Sequence, residues 1–216
     1  MPESLRSEEA TSGAERLTFF SDAVIAIAIT LLALELPVPE ELTGDSGEQM
    51  TEMITFFSAH ADEYLAFLIS FLVIAIHWST HFRVFRQVRD VNARLIQLNL
   101  LWLLLIVITP FTTKIISLGE NNPLRFAVYA GAQALQFTVF ALLVLQLIKH
   151  KLMLTSHDPA QLRSTLRRVV PMAAAFAVSI PVYALAGRWA FVLWALVPIV
   201  TGRIDDLHLR RIRRGR

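Results

Sequence analysis

A carboxylate, two imidazoles and two amides stand inside stretches that are otherwise apolar: Asp22, His77, His81, Gln97 and Asn99. Such side chains are costly in an apolar medium and are kept where they bond one another or line a watery path. Three chemistries use this set. Asp22 with His77 has the makings of a proton relay, because an imidazole changes charge near neutral pH. His77-x-x-x-His81 has the i, i+4 spacing of a zinc pair. It lacks the adjacent glutamate of an HExxH motif and any nearby carboxylate in sequence, so no metal site is expected. The favoured chemistry is structural: Asp22 hydrogen-bonds His77, Asn99 or both and ties their helices together. No HExxH, GxSxG or catalytic carboxylate pair occurs in the apolar stretches, and the chain is not read as an enzyme.

The elements that must position these groups are membrane helices. The 216 residues are 55% hydrophobic and only 18% charged, where a soluble domain carries about a quarter charged residues. Mean hydropathy is +0.53. Disorder and a soluble single-domain enzyme are excluded. There is no cysteine, which excludes disulfides, thiolate metal sites and cysteine nucleophiles. Six stretches approach the length of about 20 apolar residues that a crossing needs: 18–36, 62–82, 95–118, 124–148, 169–186 and 189–205. The last two are separated only by Gly187-Arg188 and must form a tight helical hairpin. The expected architecture is all-α, a polytopic membrane protein with six transmembrane helices and both termini cytoplasmic.

Basic residues set that orientation. With the N-terminus inside, 17 of the 20 lysines and arginines fall on inner segments, and only Lys114, Arg125 and Arg188 fall outside. The segment 37–61 holds acidic residues and no basic one, which suits an outer loop; it concentrates cations or is simply solvated. The chain divides into a polar cytoplasmic N-terminus (1–15), a six-helix domain (16–205) and a basic cytoplasmic tail (206–216). The first apolar stretch follows a polar, glutamate-containing segment and is read as a retained helix, not a signal peptide. Ser156-His157-Asp158-Pro159 reads as a helix start, with Asp158 capping and Pro159 at the first helical position. The basic pI of about 9.3 follows from topology, so no nucleic acid is expected; the tail anchors topology or meets anionic lipid.

Depth brings the polar groups together. Asp22, His77 and Asn99 each lie five or six residues from an inner arginine, at roughly 8–9 Å along their helices. A helical wheel of the first span, with Asp22 at zero, puts Thr30, Leu34, Ile27 and Leu31 at about 80°, 120°, 140° and 180°. Ile25, Leu32, Leu36 and Ile29 fall opposite, near about 280–340°. Two apolar faces suit a helix with protein on one side and lipid, a neighbouring subunit or a narrow pore on the other.

Arg16-Leu17-Thr18-Phe19-Phe20-Ser21-Asp22 is an RxxxFSD sequence at the inner end of this span. With His77-Trp78 late in the second span and Thr109-Pro110-Phe111-Thr112 in the third, it resembles the transmembrane protein 175 family of lysosomal-type potassium channels. The resemblance is specific over spans one to three and rests on hydropathy beyond them. A single motif resembles the prokaryotic, single-repeat members, which implies a homotetramer in a prokaryotic plasma membrane with four copies of span one around a pore. The implied function is a potassium-favouring cation channel, with potassium as the permeant ion and no cofactor. No TVGYG filter is present. Mapped here, the family's hydrophobic constriction falls at Ile27, with Leu31 and Leu34 as further rings and Thr30 as the polar ring behind potassium preference. Arg16, Ser21, Asp22, His77 and Asn99 become the hydrogen-bond network that holds the pore helix. The runner-up is a proton-coupled secondary transporter using Asp22 and His77; against it, no inverted repeat is apparent.

Overall fold

The computed structural model of the protein describes residues 3–39, 45–118, 122–154, 159–197, 200 and 202, with side chains from residue 13 onward (Pro159 excepted). Six helices follow in order: α1 (Glu3–Leu34), α2 (Ser46–Ala59), α3 (Ala61–Phe85), α4 (Ala93–Ser117), α5 (Pro123–His150) and α6 (Pro159–Ala186). A 3-10 turn follows at Gly187–Ala190. Among the described residues no strand forms, and an isolated bridge joins Val88 to Met153. Among the described residues five stretches are long and apolar enough to cross a membrane: Gly13–Leu34, Ala61–Phe85, Ala93–Ser117, Pro123–His150 and Ala160–Val197.

The expected fifth and sixth spans share the last of these. At 38 residues it is longer than one crossing needs, and it folds back on itself. Gly187 sits at φ +56°, which glycine adopts at little cost because it has no Cβ. Beyond it, Trp194 Nε1 donates to Ser179 Oγ at 3.0 Å. Fifteen residues of continuous helix would hold those groups about 22 Å apart, so the chain reverses at the turn. Phe176, Phe126 and Phe191 pack around Trp194 with ring centroids 4.7–5.2 Å away. Pro159 opens α6, as its fixed φ favours. Asp158, residues 198–199, 201 and 203–205 of the expected sixth span, and the basic tail lie outside the described residues.

Two expectations change. The polar N-terminal residues do not stand apart from the first span, because α1 is continuous from Glu3. Ala14 is buried, and a Cβ on Gly13 would lie 3.3 Å from Val91 Cγ2, so this end of α1 packs on the α3–α4 connection. The acidic outer segment holds a helix as well as loop. Asp45 caps α2 by accepting from the Gly47 and Glu48 amides, and the Glu48 carboxylate accepts from the Asp45 amide. That capping box satisfies donors that a helix start leaves free.

Burial centres on α4, α5 and α6, where Trp102, Phe126, Phe140 and Phe176 are inaccessible. Between membrane helices there is little hydrophobic drive, since lipid is as apolar as leucine; close packing and interhelical hydrogen bonds do the holding. The inner connections are laced together by Arg89 N donating to Leu152 O and Leu154 N donating to Gln87 O, both at 2.9 Å. Pro110 lies inside α4, beside Thr109 and Thr113, whose hydroxyls bond backbone carbonyls one turn back.

Candidate functional site

The amphipathic division of α1 is the starting point. Ser21, Ile25, Ala28 and Leu32 are buried, at spacings of four, three and four residues, so one narrow stripe faces α3 and α4. The opposite stripe is open: Ile27 is 59% exposed, Leu31 39% and Leu34 80%, with Thr30 exposed between them. The stripe read from the wheel as the second apolar face is the one left uncovered in the single chain. Thr30 Oγ1 donates to the Ile27 carbonyl at 2.8 Å. Its proton is thereby used, and its oxygen faces outward as an acceptor.

Ser21 anchors the covered stripe. Its hydroxyl donates to Leu17 O at 2.8 Å and accepts from Asn99 Nδ2 at 2.9 Å. Asn99 Oδ1 then accepts from His81 Nε2 at 3.1 Å. Ser21, Asn99 and His81 are each inaccessible, so this donor chain joins α4 to both α1 and α3 through the dry interior. The His81 ring stacks on Phe85 at 3.9 Å and on Trp102 at 4.8 Å. Further toward the outer side, Trp102 Nε1 donates to His77 Nδ1 at 3.4 Å, and His77 packs on Phe137 at 4.0 Å.

Asp22 takes a different partner from the one expected. Its Oδ1 accepts from Trp78 Nε1 at 3.0 Å, and no Asp22 bond to His77 or Asn99 forms. An indole N–H is a pure donor and a carboxylate a pure acceptor, while Asn99 is engaged by Ser21 and His81 and His77 Nδ1 by Trp102. The expected single layer splits into two about one turn apart: Ser21–Asn99–His81, then His77–Trp102. The expected alignment measured depth from inner arginines, whose long side chains reach for water and mark the boundary loosely. Arg16 is exposed and makes no hydrogen bond or ion pair among the described residues. Ser21 with Asn99 and His81, His77 with Trp102, and Asp22 with Trp78 form three separate hydrogen-bonded sets. His81 was findable, since at i+4 it shares a helix face with His77. Among the described residues no three histidines, cysteines or acidic residues gather as metal ligands.

The family model described as endosomal/lysosomal potassium channel TMEM175 matches residues 16–110, from the RxxxFSD arginine through Pro110. Over that segment the chain resembles the TMEM175 family. A potassium channel of Chamaesiphon minutus is 33% identical over 138 residues, and one of Streptomyces collinus 39% identical over 102. These alignments cover 62% and 47% of the chain; it spans 64% and 47% of those relatives' length. The endosomal/lysosomal proton channel TMEM175 of Danio rerio is 26% identical over 67% of the chain and 27% of its own length. Among solved structures, the lysosomal potassium-selective channel TMEM175 homolog from Chamaesiphon minutus superposes with a TM-score of 0.73 at 25% identity, covering 90% of this chain and 99% of that one. The match extends the TMEM175 fold through α5 and α6. The family is one of ion channels, not enzymes.

Proposed function

We propose that the chain is a potassium-favouring cation channel of a prokaryotic plasma membrane, assembled from four copies with α1 lining the pore. The observation that carries this reading is the open α1 stripe of Ile27, Thr30, Leu31 and Leu34, directly opposite a stripe anchored by Ser21. Four Ile27 side chains meeting on an axis form an apolar constriction that controls flow by dewetting, and Leu31 and Leu34 extend it outward. Thr30, with its proton committed to the backbone, offers each permeating cation an acceptor oxygen next to the apolar rings. Potassium sheds water more readily than sodium, and a narrow, weakly polar passage therefore favours it. The names of the two bacterial relatives agree with this ion.

The proton-coupled alternative loses its simplest form. Asp22 and His77 do not bond, and each is engaged by a different tryptophan.

The test is flux through proteoliposomes under opposed potassium and sodium gradients. The expected result is passive current reversing toward the potassium potential. Ile27→Asn wets the constriction and raises conductance several-fold, and Thr30→Val, of equal shape but without the oxygen, lowers the potassium preference. Currents unchanged by Ile27→Asn refute the α1 pore, and flux that appears only under a proton gradient refutes the channel.

A further inference from the structure

Two of the three basic residues that the topology leaves on the outer side converge on one cleft. Arg125 stands in the first turn of α5 and Arg188 in the turn after α6, and both line a cavity of about 710 Å³ that also takes in Asp62 at the start of α3. The third, Lys114, lies 3.8 Å from Glu35 at the outer end of α1. Among the described residues neither Arg125 nor Arg188 has a hydrogen-bond or ion-pair partner for its guanidinium. The rim thus carries two arginines against one carboxylate.

Below the rim the cleft is apolar. Leu65 and Ile69 of α3 form one wall, and Phe126, Tyr183, Phe191 and Trp194 form the other. From Asp62 to Ile69 it descends about 10 Å into the apolar zone, two helical turns. Its floor is closed by Tyr129, whose hydroxyl is 3.0 Å from Ser70, itself 2.7 Å from Thr113. Trp189, 72% exposed, lines the mouth where indoles favour the membrane interface.

We propose that this cleft binds an anionic phospholipid of the outer leaflet, with its phosphate between Arg125 and Arg188 and an acyl chain along the aromatic wall. Charge complementarity selects the head, because guanidinium pairs phosphate in bidentate fashion. The depth and apolar lining select a tail over a free anion, and the volume is that of a small-molecule site. The site depends on the outer placement of the α5 start and the α6 turn, not on the pore assignment.

The experiment uses the full chain in phosphatidylcholine vesicles doped with bromine-labelled phosphatidylglycerol or, at equal fraction, bromine-labelled phosphatidylcholine. In a Trp78→Phe background, and with Trp102 buried away from lipid, Trp189 and Trp194 report bromine in the cleft by fluorescence quenching. Greater quenching by the glycerol lipid is expected. Arg125→Gln with Arg188→Gln removes that preference, at roughly 5-fold in affinity per arginine. Ala66→Leu, which narrows the cleft without changing charge, lowers quenching by both lipids. Inorganic phosphate leaves the preference in place if the tail matters. Equal quenching by the two lipids with both arginines present overturns the proposal, as does a preference that survives the double arginine change. Abolition by inorganic phosphate overturns it in favour of a free anion. Insensitivity of both tryptophans to either lipid overturns it in favour of a cleft filled by a neighbouring copy. Ion flux enters none of these readouts, so failure here is distinguishable from failure of the channel reading.

Discussion

Asn99→Ala is the most informative single change in the interior. It deletes both halves of a relay, the 2.9 Å bond to Ser21 on α1 and the 3.1 Å bond from His81 on α3. Interhelical hydrogen bonds between membrane helices contribute about 0.6 kcal/mol on average and about 1.7 at most. Two of them give about 1–3 kcal/mol. The His81 N–H is then left without its acceptor in a site with no solvent access, and a buried unsatisfied donor costs about 1–3 kcal/mol in its own right. These figures overlap, because part of the lost bond energy is the same desolvation. Asn99→Ala is therefore expected to destabilise the chain by about 2–4 kcal/mol. Ser21→Ala should cost about 1 kcal/mol, since Leu17 O keeps its backbone partner and Asn99 loses one acceptor.

The assay is reversible unfolding in mixed micelles followed by circular dichroism, on both single variants and the double variant. If the 2.9 Å contact carries energy, the second substitution costs less once the first is made, with a coupling of about 0.6–1.7 kcal/mol. Strict additivity, within the few tenths of a kcal/mol expected of unconnected sites, would mean that Ser21 and Asn99 merely sit side by side. The account of how α1 is fixed to α4 would then be wrong.

Three further outcomes are expected. Gly187→Ala places a Cβ on a residue at φ +56° and should destabilise by about 1 kcal/mol, read in the same unfolding assay; no loss would show that the hairpin turn does not need that conformation. Trp78→Phe removes the donor to Asp22 at a partly exposed position and should cost only about 0.5 kcal/mol, well below Asn99→Ala; a loss of equal size would make Asp22 the principal anchor instead. Lys114→Ala severs a 3.8 Å ion pair whose side chains are 38% and 52% exposed and should change stability by less than about 0.5 kcal/mol, as measured by unfolding at low and high salt.

Much of the fold is legible because membrane helices announce themselves by length and apolarity, and the two faces of α1 follow from a 3.6-residue period alone. Ser21, Ile25, Ala28 and Leu32 lie on the side of the wheel that proves to be covered. The pairing within the network is less legible. Hydropathy locates a polar group along the membrane normal only to about a turn, and one turn decides whether Asn99 meets His77 or His81. Partner chemistry then breaks the remaining tie, since Asp22 needs a donor and Trp78 can be nothing else. Helix α2 carries a local signal that hydropathy passes over, the Asp45-x-x-Glu48 capping box. The cleft has no local signal: Arg125 and Arg188 are far apart in the chain and meet only because the α6 hairpin returns Phe191 and Trp194 to the outer end of α5.

The two ends of α1 are held unequally, and that asymmetry bears on how a gate at Ile27 would work. At the inner end the Ser21–Asn99–His81 chain is dry and bonded at every step. At the outer end the Glu35–Lys114 pair is exposed and weak. Between them α1 is the least buried of the five candidate spans, packing through Ile25, Ala28 and Leu32 with Val24 and Ile29 partly buried beside them and Asp22 bonded to Trp78. A helix clamped at one end and lightly packed along the rest has its softest motion as a pivot about the clamp. Ile27 lies about 9 Å along the helix from Ser21 and Leu34 about 20 Å. A given tilt therefore moves Leu34 roughly twice as far as Ile27. In a channel of the proposed kind, such a motion would widen the outer rings first, and Ile27, nearest the pivot, would be the last to open.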